Sequence, residues 1–123
     1  MIKKVLVADD DLDAHEIVHD MLHICLEGVK VDQAMSGECF MKKIGEASTP
    51  YDLILFNVRM KLENGVDILA SVQDLYPGLM DRIVLMADSP GADEPASMED
   101  PICIPKPFSL DYFGEVVKKV CCV

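Results

Sequence analysis

Apolar residues recur along this chain in two alternating patterns. Lys4 to Ala8 and Leu53 to Phe56 are continuous apolar runs bounded by polar residues, as expected of strands buried on both faces of a parallel sheet. Arg82 to Met86 and Ile102 to Ile104 look similar. Val29 to Ala34 sets Val29, Val31 and Gln33 against Lys30, Asp32 and Ala34, which predicts a less buried strand at a sheet edge. Between these runs the period lengthens. Ala14, Ile17, Val18, Met21, Leu22 and Cys25 form one stripe of an amphipathic helix, with Asp11 or Asp13 to cap its start and Gly28 to end it. The stripe leaves His15, Glu16, His19 and His23 on the solvated side. Phe40, Met41 and Ile44 predict a second helix and Val66, Leu69, Ala70 and Val72 a third. Phe113, Val116, Val117 and Val120 predict a last helix, capped by Ser109.

Strand followed by helix, repeated with right-handed crossovers, gives an open parallel sheet with helices on both faces. One segment departs from the pattern. Ala87 to Asp100 holds Pro90, Gly91 and Pro95 and only Met98 as a large apolar residue, so a loop with a short or distorted helix is expected there.

Composition narrows the class. With 123 residues, 50% of them hydrophobic, the chain suits a single domain over residues 1–123, without a separate output domain. No run reaches the roughly 18 to 20 apolar residues of a membrane span, and the opening Met1-Ile2-Lys3-Lys4-Val5 lacks the apolar core of a secretory signal. A cytoplasmic protein without membrane contact is expected. The five cysteines form no Cys-x-x-Cys pair and read as reduced thiols, and Cys121 and Cys122 stand too close to the end for a prenylation box. The net charge of −11 argues against direct nucleic-acid binding and favours proteins or metal ions as partners.

In such a sheet, ligands gather at the carboxyl ends of the strands, where the winding reverses. The first buried run ends in Asp9-Asp10-Asp11, the third strand in Asn57, the fourth in Met86-Ala87 and the fifth in Pro105-Lys106-Pro107. Carboxylates with a lysine suit Mg²⁺, a hard ion that takes oxygen ligands. Asp11 and Asp13 are better read as acidic residues at a helix start, whereas Asp9 and Asp10 sit at the strand tip itself.

These residues resemble the response-regulator receiver family, the CheY-like domains of two-component signalling. The resemblance spans essentially the whole chain. It rests on Val5-Leu6-Val7-Ala8-Asp9-Asp10, on Tyr51-Asp52-Leu53-Ile54-Leu55-Phe56-Asn57-Val58-Arg59-Met60 with Gly65 beyond, and on Lys106-Pro107-Phe108. It implies a flavodoxin-like (CheY-like) doubly wound fold, a five-stranded parallel sheet of order 2-1-3-4-5 flanked by helices. It also implies that Asp9 and Asp10 form the acidic pocket, that Lys106 is the phosphate-contact position, and that the Lys106-Pro107 peptide is cis.

The chain departs from the family where phosphorylation would begin. The acceptor aspartate falls on Asn57, whose neutral carboxamide is a weak nucleophile. The hydroxyl residue that normally follows phosphorylation falls on Met86, and the coupled aromatic on Cys103. Natural divergence accounts for these changes and for the proline-rich segment together. The expected function is that of an atypical (pseudo-)receiver of a two-component phosphorelay, not an enzyme, which docks a histidine kinase or another signalling protein without phosphorylation. Partners would use the last strand, the last helix and the proline-rich segment. No cofactor is required, and Mg²⁺ binds weakly through Asp10, the Asn57 side-chain oxygen and the Arg59 backbone carbonyl, with Asp9 acting through water.

Other readings compete. The chain could be a conventional phosphoacceptor receiver in which Asn57 was introduced by mutation, or one using Asp52 or Asp10 instead. His15-Glu16-Ile17-Val18-His19 matches the zinc-peptidase pattern His-Glu-x-x-His, but a catalytic zinc needs a cleft that a solvated helix face does not provide. The acidic triplet also suggests a haloacid-dehalogenase phosphatase, for which the chain is short.

Overall fold

A computed structural model describes residues 3–57, 60, 68–87, 102–105 and 110–121. In chain order the elements are β1 (Lys4–Ala8), α1 (Leu12–Cys25), β2 (Lys30–Ala34), α2 (Gly37–Glu46), β3 (Leu53–Asn57), α3 (Ile68–Leu75), a 3₁₀ helix (Pro77–Arg82), β4 (Ile83–Ala87), β5 (Ile102–Pro105) and α4 (Leu110–Cys121). All strand pairs are parallel, and the order is β2-β1-β3-β4-β5. The alternation along the sequence therefore becomes the doubly wound sheet that it predicts. The proline-rich segment, the Ser109 cap, Val66 and the Lys106-Pro107 peptide lie outside the described residues.

Side-chain parity along the strands divides the core into two layers. Val5, Val7, Leu53, Leu55, Val84 and Ile104 pack with Val18 and Leu22 of α1 and with Phe113, Val116 and Val117 of α4. Leu6, Ala8, Ile54, Phe56 and Ile83 pack with Phe40 and Ile44 of α2 and with Ile68 and Val72 of α3. Every residue of β3 is buried, which explains its unbroken apolar run before Asn57. β2 lies at the edge and is mostly half-buried or exposed, as its mixed pattern suggests.

Local chemistry sets the helix limits. Asp11, not Asp13, caps α1: its carboxylate accepts from the Asp13 N–H at 3.0 Å. Beyond Cys25 the chain turns through Leu26, and Gly28 takes φ 65°, a left-handed conformation open to glycine. Gly114 lets α4 approach α1 closely, since a Cβ there would stand 3.2 Å from the Cys25 sulfur.

Two expectations need correction. Ile17 is 59% exposed, whereas His15 is 1% exposed; the buried stripe of α1 runs through His15, Val18 and Leu22, so His15 is not on the solvated face. Ala70, assigned to the apolar face of the third helix, is exposed, and Ile68 and Val72 carry that contact. In addition, Arg82 belongs to the 3₁₀ turn before β4, not to the strand.

Candidate functional site at the carboxyl ends of the strands

Strand parity brings three of the expected residues to one face at one end of the sheet. Asp9 follows Val5 and Val7, Asn57 follows Leu53 and Leu55, and Met86 follows Val84. Asn57 pairs in register with Met86, and Met86 with Ile104. Asp9, Asn57 and Met86 are all buried, at 0%, 2% and 0% exposure. Asp10 is exposed beside them.

Asp9 is held through both backbone and side chain. Its N–H donates to the Ala34 carbonyl at 3.1 Å, fastening the β1 tip to β2. Its carbonyl lies 2.7 Å from His15 Nε2, and because a carbonyl only accepts, Nε2 is the donor. Asp9 Oδ1 accepts from the Asp11 N–H at 3.0 Å and from Asn57 Nδ2 at 3.2 Å. The buried carboxylate is thus met by two N–H donors, as a buried charge requires.

His15 is the part of this arrangement that the sequence reading missed. Its burial was signalled by the i, i+3, i+7 spacing of His15, Val18 and Leu22, but the greater hydropathy of Ile17 pointed to a different stripe. The same geometry bears on the zinc motif. His15 faces inward onto Asp9, while His19 has a half-exposed side chain whose ring stacks on His23 at 4.2 Å between centroids. The two histidines of the motif therefore do not meet on one open face.

The remaining expected positions are only partly described. Cys103 pairs through its backbone with Leu85 in β5. Arg59 and Lys106 lie outside the described residues. Asp52 sits at the opposite end of β3 from Asn57, about 16 Å away at roughly 3.3 Å per residue, and its carboxylate accepts from the Lys4 N–H at 2.9 Å.

Magnesium favours anionic oxygen ligands. Here Asp9 Oδ1 already accepts two hydrogen bonds and Asn57 contributes a neutral amide whose nitrogen is turned toward Asp9. Of the expected ligands, Asp10 is an exposed carboxylate and Arg59 lies outside the described residues. Among the described residues, no cluster of three or more His, Cys, Asp or Glu side chains is placed to hold a metal, and no helix is long and apolar enough to cross a membrane.

Comparison with known proteins agrees with this architecture. A rice (Oryza sativa subsp. japonica) two-component response regulator, ORR41, is 26% identical over 97% of this chain and 94% of its own length. The receiver domain of a sensor histidine kinase from Pseudomonas aeruginosa, whose active-site cleft coordinates a magnesium ion, superposes with a TM-score of 0.77 at 18% identity over all of both chains. A Francisella response-regulator receiver domain gives 0.75 at 20% identity, covering 98% of this chain and 97% of its own. RcsB from Salmonella enterica serovar Typhimurium, bound to a promoter, gives 0.74 at 13% identity over 96% of this chain and 61% of RcsB. The family model of the response regulator receiver domain matches residues 5–118, and the chain belongs to that family.

Proposed function

We propose that this receiver works without phosphorylation at position 57, as an atypical (pseudo-)receiver and protein–protein interaction module of a two-component system. One observation carries the reading. Asn57, which the family resemblance matches to the acceptor, is buried at the tip of β3 and donates to the neighbouring Asp9 carboxylate. A nucleophile for acyl phosphate formation must offer an electron-rich oxygen to the donor. Asn57 instead offers a neutral amide that serves as a hydrogen-bond donor.

Met86 supports the same reading. A switch residue that follows a new phosphoryl group needs a hydrogen-bonding hydroxyl, and the methionine side chain cannot donate one. With Met86 and Cys103 at the switch positions, the signal would come from a bound partner, a histidine kinase or another signalling protein. That partner must itself supply the differential affinity that shifts a two-state equilibrium. In this proposal Asp9 and Asp10 remain as the acidic pocket and Lys106 as the former phosphate contact. Mg²⁺ binds weakly and is not required. The module is a non-catalytic cytoplasmic one, and its net charge of −11 disfavours direct DNA contact.

The second reading, a conventional receiver with an unorthodox acceptor, places the phosphoryl group on Asp10 or Asp52. Asp10 is exposed at the correct end of the sheet, whereas Asp52 lies at the other end. Incubation with acetyl phosphate and Mg²⁺ followed by intact-mass measurement separates the two. The expected result is an unmodified chain, and a stable added phosphoryl group would overturn the proposal.

A further inference from the structure

A concavity lies at the opposite, amino-terminal end of the sheet. Its walls are Ile44 of α2, Ala47, Ser48 and Pro50 of the following loop, Tyr51 before β3, and Tyr76, Gly78, Leu79 and Arg82 around the 3₁₀ turn. The volume is about 530 Å³, within the range of small-molecule sites. The lining is mostly aliphatic and aromatic. Its one formally charged side chain among the described residues is Arg82, although the whole chain carries twice as many acidic as basic residues.

The cation is held in place. Arg82 Nη1 donates to the Tyr51 carbonyl at 3.0 Å, which fixes the guanidinium at the wall with one of its five N–H groups among the described residues. Tyr51 is in turn anchored by its hydroxyl, which donates to Asp32 at 2.8 Å, and by Lys4 Nζ, 4.5 Å from its ring centroid. Asp32 is thus engaged by Tyr51 and does not line the cavity. Tyr76 closes against α2, where a Cβ on Gly45 would meet its hydroxyl at 3.2 Å. A Cβ on Gly78, also in the lining, would meet nothing within 4 Å.

We propose that this cavity binds a small aromatic carboxylate, its ring system against Ile44, Leu79 and the tyrosines and its carboxylate on the Arg82 guanidinium. Rings and aliphatic groups supply an apolar slot, and a guanidinium fork is matched to the two oxygens of a carboxylate. Charge selects the ligand. A cationic guest would face Arg82 without any described carboxylate in the lining to compensate, and a neutral one would leave the guanidinium poorly matched. The site is independent of the chemistry at Asn57, which lies at the other end of β3.

Nitrogen-15 NMR titrations with naphthoate and with naphthamide, its uncharged counterpart, test the assignment. Naphthoate should move the amide resonances of Ala47, Ser48, Gly78 and Leu79, and naphthamide should bind about tenfold more weakly or worse. Gly78→Leu, which adds a side chain to the lining without a clash, should alter the naphthoate shifts at Ala47, Ser48 and Leu79 while leaving the rest of the spectrum intact. Arg82→Met should reduce naphthoate to the affinity of naphthamide. The proposal is overturned by an absence of shifts at millimolar naphthoate, by shifts clustered elsewhere, by equal affinity for the two probes, or by unchanged naphthoate affinity in Arg82→Met.

Discussion

The two ends of the sheet use the same strands for opposite purposes. At the carboxyl end, a buried carboxylate, a buried amide and a methionine fill the space, and Asp9 meets its donors within the protein. At the amino end, Tyr51, Tyr76 and Arg82 line an open, mostly apolar cavity, with Lys4 over the Tyr51 ring outside it. At the tip of β3 the Asn57 amide meets Asp9 with a hydrogen bond, where a second carboxylate would meet it with like charge.

The contrast can be broken by altering what the two ends share. Phe56 lies in the middle of the core, 1% exposed and tilted against Phe40 at 5.1 Å between ring centroids. Phe56→Ala should cost about 3–5 kcal/mol in urea unfolding. It should also broaden amide signals at both ends, and a loss confined to one end would show that the ends are not mechanically joined through β3.

Asn57→Asp should act on the carboxyl end alone. It places a second carboxylate about where Asn57 Nδ2 now stands 3.2 Å from Asp9 Oδ1, and removes a donor from a buried acceptor. The expected destabilisation is about 1–3 kcal/mol without divalent ions, largely reversed by MgCl₂. Thermal melts with and without MgCl₂ measure both effects. A variant as stable as the parent and indifferent to Mg²⁺ would mean that the amide is not what quiets this pocket.

Tyr51→Phe sharpens the amino end. Burial, the hydrogen bond to Asp32 and the Asp32 charge together push the Tyr51 phenol well above the ordinary tyrosine value near 10. A phenol raised in the folded state favours folding below the unfolded value, and that contribution fades as pH climbs from about 10 toward the folded value. The variant should be about 1 kcal/mol less stable at neutral pH. Its deficit should shrink in denaturant titrations above pH 10, and a deficit constant up to the alkaline limit would remove the phenol from the account. Lys4→Met is the mildest change. Losing the cation over Tyr51 and the exposed bond to the Thr49 carbonyl should cost about 0.5 kcal/mol, detectable as a small shift in urea midpoint.

The layered architecture was legible because the central strands are buried on both faces and so read as unbroken apolar runs. Leu53 to Phe56 and Val5 to Ala8 could hardly be anything else. The α1 stripe was misread at His15 and Ile17, because hydropathy ranks residues one at a time and has no way of knowing that a carbonyl at a strand tip awaits an N–H. The 3₁₀ turn left only Pro77 as a signal, since none of its six residues is buried and so no apolar period marks it. Asp9 and Asn57 were recoverable as a pair because both end buried runs. The cavity at the other end was not, because its walls come from α2, a loop and the 3₁₀ turn, segments that meet only once the chain is folded.

The lateral border of the molecule has a consequence for crowded conditions. A parallel sheet ends in a row of backbone groups that could pair with another chain. On the β2 side that row carries Lys30 and Gln33 pointing into water, with Asp32 half-covered between them, and the strand is only five residues long. Pairing two such borders parallel and in register would oppose lysine to lysine and aspartate to aspartate. Strand-wise polymerisation from this side is therefore disfavoured, which leaves the helical faces as the more suitable surfaces for recognition.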